Sequence, residues 1–416
     1  MSEENKIRFL LLSGLILVII VGIFVFYALR GGNGETNDKG VLGIFLPYTG
    51  GGGPPTSGGD GSIQGPGSGD GGEGIFKEDQ ELKPEARERL VQLSQEPVIG
   101  PYVRDKDGVV LYFKRGVGHV FQVPFDGREE ENRSVQFTIP NIIDVDWNQN
   151  GEYALLTTLN DSVVKNFWLH FTSTSTIETG AYPDIFIDKA FSPDGTKLAS
   201  YVKQGGAYVI RTSTQKGTGI KTVYSTNIPD YEIAWISPST ISLKTKTSAF
   251  APSLFQIIRA TGGTPTTIDS GKQGFDVLWD QQGLRYLSTR TNRLGALTSI
   301  ALYDPQKPKT SVPLPEKTLP EKCVFSKKDA DILYCAFPRN IRSEPLPDAW
   351  WKGEVTFTDV LAKFNAKTGD LTPVLGGTFD ITNLTLSAEE DYIFFINKKD
   401  STLWSFRLTD QETKAE

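Results

Sequence analysis

Histidine and cysteine are almost missing from this chain: 416 residues hold two of each, His119 and His170, Cys323 and Cys335. A zinc site needs three or four His, Cys or acidic ligands, so two isolated histidines do not suggest one, and no metal is expected. A Gly-x-Ser-x-Gly elbow is also absent, which argues against serine-hydrolase chemistry. Basic residues are not in excess. Lys and Arg number 43 against 50 Asp and Glu, a net charge of −7. Binding nucleic-acid phosphates takes a basic stripe, so no nucleic-acid partner is expected. Nothing points to a cofactor either. The run Phe364 to Gly369 reads as one ordinary outer hairpin, and it occurs once.

Long uncharged hydrophobic runs are equally scarce, with one exception. Phe9 to Leu29 is 21 residues without a charge. As a helix it spans about 30 Å, the thickness of a bilayer core. Lys6 and Arg8 precede it and only Arg30 follows closely. The positive-inside rule then places residues 1–8 in the cytoplasm and the rest of the chain outside. No convincing cleavage site follows, so the span is read as a signal anchor in the cytoplasmic membrane.

Residues 30–82 are low in complexity: Gly31 to Gly74 contains 18 glycines. Such a segment cannot repay its ordering entropy by burial and is expected to be a disordered tether, reaching on the order of 40 Å. Inside it, Leu46-Pro47-Tyr48-Thr49-Gly50 resembles the sortase sorting signal. That signal precedes a C-terminal span in its own family. Here the motif follows an N-terminal one, so it is read as coincidence or a short apolar patch.

The rest of the chain repeats. Val103, Trp147, Phe191, Trp235 and Trp279 are spaced 44 residues apart, and Phe325 and Leu386 continue the series at 46 and 61. Tight-turn sequences ending in Gly108, Gly151, Gly195 and Gly283 follow four of these anchors, and a β-rich run follows each turn. A period near 44 made of short strands predicts β-propeller blades over 83–410. The fold class is therefore all-β, a propeller of four-stranded blades with a tail at 411–416. Seven blades is the count; six or eight follow if the last interval hides a degenerate unit. Lys83 to Leu90 opens like a short helix, and residues 90–95 read as a lone strand. The C-terminal end supplies only three strands, so this strand should close the ring by pairing with the last blade, which leaves no exposed edge.

Phe191-Ser192-Pro193-Asp194-Gly195 resembles the repeat of TolB-type, WD-repeat-like propellers of bacterial envelope proteins. The likeness covers roughly residues 88–408 by period, but only the unit at Phe191 carries the full motif. It implies an envelope location and an aromatic that anchors the inner strand against the next blade. The separate α/β domain of TolB is missing here, so TolB's partners are not implied.

Four features are candidates for function. The wide last interval contains an insertion at 337–358, with Arg342, Asp348, Trp350, Trp351 and Lys352. Adjacent rigid aromatics among charges suit protein binding or stacking on sugar rings. The alternative is that one Trp folds back as a plug. The carboxylates Asp144, Asp146, Asp188 and Asp194 could serve a glycosidase or a calcium site; turn residues or solvated edges is the plainer reading. His119 and His170 read as core or rim residues. If the hairpin turns near Asp329, Cys323 and Cys335 face each other within disulfide reach. The alternative is two buried thiols one pair off register. The expectation is a non-enzymatic binding or scaffold propeller for an envelope protein or wall glycan. The alternative is a glycan hydrolase or lyase with carboxylates at the central channel.

Overall fold

The repeating units fold as antiparallel sheets of four strands, and seven such sheets make the ring. The computed structural model describes residues 89–408 apart from 136 and 173–175. The expected anchor at 9–29, the linker at 30–82, the sortase-like stretch, the helix opening at 83 and the tail at 411–416 lie outside those residues. Among the described residues no helix is long and apolar enough to cross a membrane.

Strands are numbered β1 to β28 along the chain. Blades 1 to 6 take four consecutive strands each, from β2 to β25. Blade 7 holds β26 (Ile381–Leu386), β27 (Tyr392–Asn397), β28 (Thr402–Arg407) and, as its outermost strand, β1 (Leu90–Gln92). Leu90 faces Phe406 and Gln92 faces Trp404. The ring is therefore closed by an N-terminal strand, as the count of C-terminal strands requires. This strand is shorter than the expected 90–95. Beyond Gln92 the regular ladder lapses, because Leu93 N–H and Ser94 N–H both donate to the Leu403 carbonyl.

The first strand of each blade lies at the hub. These strands are β2 (Val98–Arg104), β6 (Ile142–Trp147), β10 (Phe186–Phe191), β14 (Tyr231–Ser237), β18 (Val277–Trp279), β22 (Cys323–Phe325) and β26. First strands of neighbouring blades touch, as β2 with β6 and β10 with β14. Each anchor is packed against the blade before it, not the blade after. Trp147 lies on Phe113 of blade 1, and its Nε1 donates to the Gly100 carbonyl at 2.9 Å. Trp279 Nε1 donates to Ser242 Oγ of blade 4 at 3.0 Å. Val103, Phe191, Trp235, Phe325 and Leu386 likewise share apolar clusters with residues of the preceding blade. Successive side chains of a strand point to opposite faces of the sheet, so the anchor's position on its strand decides which neighbouring blade it meets.

The turns after the anchors need glycine. Gly151 and Gly195 both have φ of +69°, a region costly for residues with a Cβ. Cys323 and Cys335 are directly opposed on β22 and β23 (Ile332–Pro338) and form a disulfide, their Cα atoms 4.1 Å apart.

Candidate functional site

Two charged assemblies stand at the hub and on one face of the ring. The first is a row of acids on or beside the first strands. Asp144, Asp188, Glu232 and Asp276 each lie three residues before an anchor and are 44 residues apart. In β6 and β10 the ladder is shifted immediately before the acid, between Ile142 and Asp144 and between Phe186 and Asp188. Such a bulge re-aims the side chain that follows it.

Each acid of the row is engaged. Lys189 bonds Asp144, and its Nζ is 2.6 Å from Asp146. Burial works against the Lys189 charge, but Asp146 and Asp144 outweigh it and hold the ammonium well above its ordinary value. Asp188 accepts the Ile233 N–H of the next blade at 2.5 Å. Its burial outweighs that bond and pushes the carboxyl up to about 7. Lys244 of β15 (Thr240–Thr245) bonds Glu232, Thr247 Oγ1 and Asp276, the last at 3.1 Å, so its three N–H groups are used. Asp194 is a turn residue: it accepts Ser192 Oγ and Thr196 N, which hold its pKa low, the Ser192 bond most.

The second assembly is built by the insertion, here the connection 339–358 between β23 and β24 (Asp359–Asn365). It carries a four-residue helix, α1 (Asp348–Trp351). Lys322, in a 3-10 turn at Pro320–Lys322, is wholly buried. Its Nζ donates to Asp359 Oδ2 at 2.7 Å, Asp380 Oδ1 at 2.6 Å and the Ile381 carbonyl at 2.9 Å. Trp350 covers this node. It is 1 % exposed, lies 4.8 Å from the Lys322 Nζ by its ring centroid, and donates Nε1 to Asp380. Burial pushes Asp359 up to about 6 against the pull of Lys322.

The insertion is a strap across four blades. Asp348 Oδ2 accepts the Ala249 N–H of blade 4 at 2.5 Å. The Leu346 N–H donates to the Gly295 carbonyl of blade 5. In blade 7, Lys398 Nζ donates to the Trp350 carbonyl at 2.8 Å. Leu297, Leu319, Leu346, Trp350 and Phe357 form a separate apolar core beneath it. Trp351 is half-buried and donates Nε1 to Glu321 Oε1 at 2.7 Å. Glu321 is exposed, but the chain around it crowds its carboxyl, and that desolvation, then the Asp276 carboxylate, push it up to about 8.

Of the two roles open to the tryptophan pair, Trp350 takes the plug, and Asp348 is spent on the backbone of blade 4. Arg342 and Lys352 are exposed, and Trp351 presents a partial face. The histidines stay apart and away from the hub. His119 Nε2 is 2.9 Å from Thr138 Oγ1, and His170 stacks on Tyr153 with ring centroids 4.3 Å apart. The acid row escaped sequence reasoning except at Asp144 and Asp188, although its signal, an acid three positions before an anchor, is printed four times. Lys322 stands at the same position, three before the anchor Phe325, but as a cation; Asp359 and Asp380 carry no such signal.

No family model matches the chain, and no curated protein does. Solved structures do. An oligogalacturonate lyase in complex with manganese superposes with a TM-score of 0.55 at 9 % identity, covering 79 % of this chain and 96 % of that one. An oligogalacturonate lyase from Vibrio parahaemolyticus gives 0.55 at 8 %, covering 81 % and 96 %. The Cps50 propeller domain of Myceliophteria thermophila gives 0.51 at 11 %, covering 77 % and 98 %. At such identities the likeness concerns the fold. The residues present do not fit a manganese ion. Among the described residues no three His, Cys, Asp or Glu side chains group as ligands, and lysines stand between the hub acids. What these comparisons and the blades establish together is that the chain is a seven-bladed β-propeller.

Proposed function

We propose that this chain is a membrane-anchored, extracytoplasmic propeller of TolB-like type that binds or scaffolds an envelope protein or cell-wall glycan. The uncharged run at 9–29 supports the anchor and the positive charges before it support the orientation. The observation that carries the binding reading is the state of the hub. Asp144, Asp188, Glu232, Asp276 and Glu321 each hold a lysine, a backbone N–H or an indole N–H, so the convergent acids act as links between elements. A rigid ring with its charges so engaged presents loops, and loops carry recognition.

A second reading, an envelope glycan hydrolase or lyase, is favoured by one observation. Asp188 and Glu321 are held up near 7 and 8, in the range of a general acid at neutral pH. The oligogalacturonate lyases among the fold neighbours are compatible with it.

The test is capture from solubilised envelopes on the full-length protein in neutral detergent, beside incubation with envelope glycans. The binding reading expects one protein or glycan to be retained in unchanged form. It is overturned if nothing is retained while glycan is cleaved, and if Glu321→Gln or Asp188→Asn abolishes cleavage. An Arg342→Ala/Trp351→Ala/Lys352→Ala version, which spares the buried node, shows whether the strap's exposed edge makes the contact.

A further inference from the structure

The strap leaves part of its own face uncovered. Between blades 4 and 5 lies an open cleft of about 650 Å3. Three connections of that face line it. Pro252 comes from the link between β15 and β16 (Leu254–Arg259), and Lys272 from the link between β17 (Thr266–Ser270) and β18. Arg290 and Arg293 come from the end of β19 (Tyr286–Thr291) and the turn beyond it. Among the described residues three cations therefore line the cleft and no carboxylate does. In a chain of net charge −7 this is a local reversal of sign.

The cations divide into a fixed one and two free ones. Arg290 is held by Asp269 at 2.8 Å through Nη2 and by Ser288 Oγ and the Thr289 carbonyl at 2.7 Å through Nη1. Its guanidinium also lies 4.3 Å from the Phe275 ring centroid. A guanidinium has five N–H donors, so two are left on a group that has already lost its freedom. Lys272 and Arg293 are exposed and make no ion pair among the described residues. An apolar edge adjoins them. Phe250 is 51 % and Leu294 78 % exposed, and the Gln273 side chain, which lines the cleft, donates to the Phe250 carbonyl.

We propose that this cleft binds the anionic groups of an envelope polysaccharide, with Arg290 as the fixed contact and Lys272 and Arg293 as the rim. Oxyanions match the unused donors, and a flat sugar face matches the exposed Phe250 ring. The cleft is open, which lets a chain lie across it. The oxyanion is a carboxylate in a uronate chain or a phosphate in a phosphodiester-linked polymer; both present the same chemistry here. This inference rests on the binding reading above in taking the ligand to be an envelope glycan.

Titration calorimetry on the full-length protein in neutral detergent tests it, with three probes: trigalacturonate, a glycerol-phosphate oligomer and neutral maltotriose. At least one anionic probe should bind, more weakly as salt is added, and maltotriose should not. Which anionic probe binds identifies the source of the oxyanion. Lys272→Glu/Arg293→Glu should weaken binding by about tenfold or more, with an unchanged melting temperature. Equal binding of maltotriose, wild-type affinity in the double variant, or no binding of either anionic probe overturns the proposal. Envelope capture with the double variant separates the two levels. A partner still retained there removes the cleft and leaves the binding reading standing.

Discussion

Lys322 and Lys272 lie on the same face of the ring, 50 residues apart in sequence, in opposite circumstances. Lys322 has no exposed surface, three acceptors for three N–H groups, and a tryptophan laid over it. Lys272 is exposed beside an open cleft, with Arg293 as its neighbour and no acid in the lining. Burying an ammonium costs several kcal/mol unless every donor is met, so the first arrangement is tolerable only because all three Lys322 donors find acceptors. Leaving like charges together in water costs little and keeps them free for a ligand. Counting unmet donors therefore separates charges that hold this fold from charges that can recognise something else.

The comparison breaks most visibly at the node. Lys322→Met should destabilise the protein by about 3–5 kcal/mol in urea denaturation, because Asp359 and Asp380 are left buried without a counter-ion. Adding Asp359→Asn and Asp380→Asn should recover most of that loss. Trp350→Ala should cost about 3–5 kcal/mol through the cavity it leaves. Trp351→Ala, half-buried beside it, should cost about 1 kcal/mol. Equal effects of the two would dissolve the distinction between plug and edge.

Much of the ring was legible because its determinants are local and periodic. The anchors, the glycine turns and the missing fourth strand of the last blade can all be read along the chain, and Cys323 and Cys335 follow from one hairpin's register. The direction of anchor packing could not be read, because spacing does not say which face of a blade meets its predecessor. The node draws on positions 322, 350, 359 and 380, which the packing of blade 7 on blade 6 and the insertion bring together. Lys272 and Arg293 sit in connections where charge is ordinary, and only the shape of the cleft distinguishes them.

Smaller effects sharpen the picture. Reducing the Cys323–Cys335 bond, which closes 12 residues of sequence separation, should lower stability by about 2–3 kcal/mol, read from denaturation with and without reductant. Asp188 gives a pH signature. Its folded value, about 7, lies above the ordinary 3.8, so its protonated form favours the fold. That contribution is whole below about 3.8 and lost as pH rises through about 7. Asp188→Asn keeps an oxygen for the Ile233 N–H. It should melt like the wild type at low pH and above it at pH values beyond the folded pKa. Smallest of all, Lys272→Ala/Arg293→Ala should change stability by less than about 0.5 kcal/mol, since both side chains are exposed and neither makes an ion pair among the described residues.

The most direct measurement is hydrogen exchange on the full-length protein with and without an anionic oligosaccharide found to bind. The account predicts new protection at 271–273 and 290–299, with the strap at 348–352 already protected and unchanged. New protection confined to 348–352, with the cleft unaffected, would contradict it.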